Sequence, residues 1–159
     1  MSALDTMSAP ERRSWATLIA DGLVFIWFWK AVTPVGTWLP ADRPAEELGG
    51  VFFALIIVTI IVHAVIAAMF ERRRRTDGVE QDERDVEVQA HGAKAGYAVM
   101  QWGVGILICL TLMGYIAPEN FEQAVVIRSV VQLLFAMVAL AYIADLTRHA
   151  VILLRYRAG

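Results

Sequence analysis

The chain has 159 residues, a formal net charge of −2 and 58% hydrophobic residues, where a soluble domain has about 45–50%. Its mean hydropathy is +0.55. The small net charge says nothing about nucleic acid, and no nucleic-acid partner is expected; a single cysteine, Cys109, excludes an intrachain disulfide.

The N-terminal stretch MSALDTMSAPERRSWATLIADG lacks a short apolar core followed by a small-residue cleavage site. The apolar run instead continues through Trp27 and Trp29, so a retained first span is expected over about 15–32. It carries Asp21, Lys30 and the dense aromatic run FIWFWK at 25–30. That run is expected to meet lipid and the outer interface, or otherwise to line a groove for an apolar or cationic ligand. Pro34, Gly36, Pro40 and Pro44 then predict a loop.

The second span, 51–70, is the purest apolar run and holds His63. Its β-branched residues would favour strand in water, but an isolated run of this length in lipid needs the internal hydrogen bonds of a helix. A charged stretch follows, ERRRRTDGVEQDERD at 71–85, inside an expected cytoplasmic loop 71–95. Arg72, Arg73, Arg74 and Arg75 read first as an orientation signal. They also form a patch able to contact anionic lipid or a partner, although the acidic residues after them weaken that role. Asp77-Gly78 signals a turn, and Asp82 can cap a helix whose apolar face is expected at Val86, Ala90 and Ala93.

The third span is expected over 96–116, with Gln101 near its start. Gly92-x-x-x-Gly96 is a small-xxx-small pattern that allows close helix approach, within the chain or in a dimer. Pro118 and Asn120 make a short connection. The fourth span is expected over 121–143, with Arg128 and Gln132 in its outer half and Asp145 at its inner boundary.

Basic residues concentrate before the first span, between the second and third, and after the fourth. The positive-inside rule then places both termini in the cytoplasm. The expected fold is all-α: a polytopic, multi-pass membrane protein with one membrane domain, 1–159, forming a four-transmembrane-helix bundle. Counting along antiparallel spans sorts the ionisable groups into two layers. Asp21, His63, Gln101 and Asp145 share the inner half, where Asp21 and His63 are expected to interact. Lys30, Arg128 and Gln132 share the outer half.

No nucleophile–base pair, phosphate loop or paired-carboxylate motif appears, so an enzyme is not the expectation. The leading expectation is an accessory or regulatory membrane subunit without a cofactor, contacting the bilayer and a protein partner or a second copy. The alternative is a small proton-coupled transporter working as a homodimer with Asp21 as its central carboxylate. A haem or quinone carrier is weaker, because only His63 of the three histidines lies clearly inside a span. An Asp145–His149 metal pair, four residues apart, lacks further obvious ligands, so no metal is expected.

The stretch DERDVEVQAHGAKAGYAV, 82–99, resembles the segment before the third span in a group of small, uncharacterised bacterial four-helix membrane proteins, through Asp82, Glu83 and Arg84. The resemblance implies four helices and a bacterial inner (plasma) membrane, and carries no activity.

Overall fold

The structure is a computed structural model and describes residues 7–33, 40, 45–77, 82–116 and 126–158. Within these residues the chain is all-helical, with α1 at Ala9–Val32, α2 at Ala45–Asp77, α3 at Glu83–Ile116 and α4 at Val130–Ala158. Each helix has the length and apolar content needed to cross a membrane.

The helix starts follow local chemistry. Ser8 caps α1, its hydroxyl oxygen accepting from the Glu11 N–H at 3.3 Å, and Pro10 occupies the first turn, where its missing N–H is harmless. Thr33 ends α1 by donating both its backbone N–H and its hydroxyl to the Trp29 carbonyl. The segment expected as loop 71–95 is mostly helix, since α2 continues to Asp77 and α3 begins at Glu83. Arg72 to Arg75 fall in the last turns of α2, and their side chains lie outside the described residues, as do Gly78, Pro118 and Asn120.

The fourth apolar run divides differently from the 121–143 expectation. Residues 121–125 lie outside the described residues, residues 126–128 are not helical, and α4 starts at Val130 and runs unbroken past Asp145. The cause is a capping arrangement. The Ser129 hydroxyl oxygen accepts from the Gln132 N–H at 3.2 Å, and Gln132 Oε1 accepts from the Arg128 N–H at 2.8 Å. The Gln132 N–H would otherwise be an orphan donor of the first turn, and the second bond fixes the chain entering the helix.

Packing is extensive between α3 and α4, α4 and α1, and α1 and α2. Thus α1 and α4 form the centre and bury more of their length than the flanking α2 and α3. The core joins Phe28, Val32, Leu48, Leu55, Val131, Phe135 and Tyr142. Here the expectation for FIWFWK needs correction. Phe25, Phe28 and Trp29 point inward, with Phe28 stacked on Phe135 at 5.7 Å and edge-on to Phe52 at 5.3 Å. Ile26, Trp27 and Lys30 take the exposed side. The run serves two faces because residues three and four apart share one face and their immediate neighbours do not.

The α3–α4 seam is built on glycine. A Cβ at Gly96 would stand 2.9 Å from the Ala144 carbonyl oxygen, and one at Gly92 would stand 2.8 Å from the Arg148 carbonyl oxygen. Gly103 receives the Leu140 side chain and Gly114 the Ile127 backbone. The seam also corrects the face expected for the start of α3. Val88, Gly92 and Gly96 are buried, whereas Val86, Ala90 and Ala93 are exposed. Close backbone approach selects small residues here, so the buried stripe is not the most apolar one.

Candidate functional site

The buried face of α1 changes character along its length. Ser14, Thr17 and Asp21 occupy its first half, and Phe28 and Val32 its second. Asp21 is therefore the last polar group before an aromatic layer, and it is only 2% exposed. Its surroundings come from two other helices. From α2, His63 brings Nε2 to 3.6 Å from Asp21 Oδ2. From α4, Asp145 completes a group whose ligand atoms all lie within 4.8 Å of one another. One turn further along α4, His149 Nε2 stands 3.6 Å from Asp145 Oδ2.

The hydrogen bonds around this group determine who can donate. His63 Nδ1 lies 3.0 Å from the Thr59 carbonyl oxygen. A carbonyl only accepts, so Nδ1 carries the hydrogen and the Nε2 of a neutral ring presents a lone pair. That lone pair faces a carboxylate oxygen, beyond hydrogen-bond reach. Asp21 Oδ2 accepts no hydrogen bond from any described residue. Three acceptors from three helices thus converge. Burying a carboxylate without a donor costs several kcal/mol, and a positive charge at the shared point offsets that cost.

Thr59 also ties the site to α4. Its hydroxyl donates to the Leu55 carbonyl at 2.8 Å, which leaves its oxygen to accept from the Tyr142 hydroxyl at 2.6 Å. Tyr142, Asp145 and His149 sit three and four residues apart, so they share one face of α4. The sequence reading passed over Thr59 and Tyr142, although their spacing from His63 and Asp145 was the available signal.

The structure brings together Asp21, His63 and Asp145. Gln101 is exposed on α3 and takes no part. Lys30 and Arg128 are exposed, and Gln132 serves the start of α4. A second polar region ties the helix ends together: the Tyr156 hydroxyl donates to Asp85 Oδ1 at 2.6 Å, and the Arg157 guanidinium lies over the Trp15 ring at 5.4 Å. The chain matches no family model, no curated protein and no solved structure.

Proposed function

We propose that the protein is a small multi-pass membrane carrier that moves a cation through the Asp21–His63–Asp145 site. One observation carries the reading: three ionisable side chains from three helices converge around the buried Asp21, whose Oδ2 has no hydrogen-bond partner among the described residues. An ionisable cluster held inside apolar helices points to an ion path more often than to packing alone. In this reading the helices span a bacterial inner membrane with both termini cytoplasmic, as the distribution of basic residues supports. A homodimer is its natural form. The His63 side chain is 45% exposed, and a second copy against that side would shield it from hydrocarbon.

The accessory-subunit reading rests on the absence of a catalytic motif in the sequence. Gly92 of the 82–94 segment packs against α4 while Val86, Ala90 and Ala93 stay exposed, so the polar cluster is the more specific feature on which to build.

The proton is the first cation to test, with Asp21 as the central carboxylate. Purified protein is placed in vesicles holding a pH-sensitive dye, and a potassium diffusion potential drives protons inward. Wild-type vesicles should acidify faster than protein-free ones, and Asp21→Asn should return the rate to that of protein-free vesicles. Wild-type vesicles no leakier than empty ones would sink the proton form of the reading.

A further inference from the structure

The cluster has the donor set of a metal site, and we infer that Asp21, His63 and Asp145 bind a first-row divalent transition-metal ion. The inference rests on the cation-carrier reading and names the ion class its site selects. Two carboxylates and an imidazole make a mixed oxygen–nitrogen set. Imidazole suits zinc, iron and nickel, whereas magnesium and calcium prefer oxygen alone and copper(I) prefers sulfur. Among the described residues, the only cysteine, Cys109, is exposed and lies outside the cluster.

The distances agree with a metal better than with a hydrogen-bonded pair. With metal–ligand bonds of about 2.1 Å, neighbouring ligands of a tetrahedral ion stand about 3.4 Å apart. His63 Nε2 and Asp21 Oδ2 stand 3.6 Å apart, too far for a hydrogen bond and close to that edge. The third ligand needs only a modest closing movement, because all three atoms lie within 4.8 Å.

The surroundings agree as well. A metal-bound histidine ordinarily donates its other ring N–H to a carbonyl or carboxylate, which fixes the tautomer. His63 Nδ1 faces the Thr59 carbonyl at 3.0 Å. His149 Nε2 stands 3.6 Å from Asp145 Oδ2, beyond a hydrogen bond, so it adds a further nitrogen beside the cluster. Asp21 Oδ2 is buried, has no hydrogen-bond partner among the described residues and stands 3.6 Å from His63 Nε2.

The test is titration of the purified, chelator-stripped full chain with Zn²⁺ by calorimetry, repeated with Co²⁺ by visible absorption, which reports coordination. Wild type should take up one ion per chain. His63→Ala and Asp145→Asn should each weaken binding about tenfold or more. His91→Ala should bind like wild type, because His91 hydrogen-bonds to the Glu87 carbonyl on α3, outside the cluster. Far-UV circular dichroism identifies any variant that fails to fold, and the wild-type titration stands without the variants. No saturable wild-type uptake overturns the inference, as does undiminished binding by folded His63→Ala and Asp145→Asn. Proton flux sensitive to Asp21→Asn with no metal uptake overturns the metal inference and leaves the carrier reading standing. Metal uptake in a protein that carries neither protons nor Zn²⁺ across vesicles supports the metal site and overturns the carrier.

Discussion

At Asp21 the chain trades stability for an electrostatic trap. Three acceptors held together repel one another, and nothing in their immediate shell donates to Asp21 Oδ2. An asparagine there would supply N–H donors toward His63 Nε2 and the Asp145 carboxylate. Asp21→Asn should therefore raise thermal stability in chelator-containing buffer, by about 1 kcal/mol. A melting temperature below that of wild type would show that Asp21 is instead a structural anchor. Tyr142 is the opposite case. Its hydroxyl reaches Thr59 across the α2–α4 gap, and hydrogen bonds between helices in membranes are worth about 0.6 kcal/mol on average. Tyr142→Phe should cost roughly that much, and Tyr142→Phe combined with Thr59→Val should cost little more. Strictly additive losses in a double-mutant cycle would contradict a direct bond. Asp21, His63 and Asp145 were legible as a group at one depth, because a rise of about 1.5 Å per residue converts position into height. Facing was not legible. Gln101 satisfies the same height count and is exposed, since depth along a helix says nothing about rotation around it.

The glycines of α3 decide how closely two helices meet. At Gly114 an added Cβ would run into the Ile127 backbone, which cannot turn aside as a side chain can. Gly114→Ala should destabilise by about 1–3 kcal/mol. Gly105 has nothing within 4 Å of an added Cβ, and Gly105→Ala should stabilise by about 0.5–1 kcal/mol through backbone entropy. Unfolding in mild detergent compares the two, and similar effects from both would argue against the seam. The Gly92-x-x-x-Gly96 spacing foretold close approach but left the partner open, and the structure supplies α4 of the same chain. Val86, Ala90 and Ala93 misled because hydrophobicity marks lipid-facing and core-facing surfaces alike in apolar helices. The start of α4 was readable: Ser129 followed three residues later by Gln132 is a capping signature. An uninterrupted apolar run masked it.

At the scale of the molecule, three helices build the site and α3 braces α4 behind it. The proposed orientation predicts that single cysteines placed at the two chain ends, in a Cys109→Ala background, resist a membrane-impermeant maleimide applied to intact cells. They should react once the cells are opened, and labelling of either end from outside would reverse or break the proposed topology. The division of the buried α1 face has a consequence of its own. Ser14 and Thr17 lead to Asp21 from one end, while Phe25, Phe28 and Trp29 with Phe135 close the other. An ion at Asp21 would leave along a polar path in one direction and meet stacked rings in the other. In the proposed carrier, this conformation would exchange its ion with one side only, and the rings would have to part before release to the other.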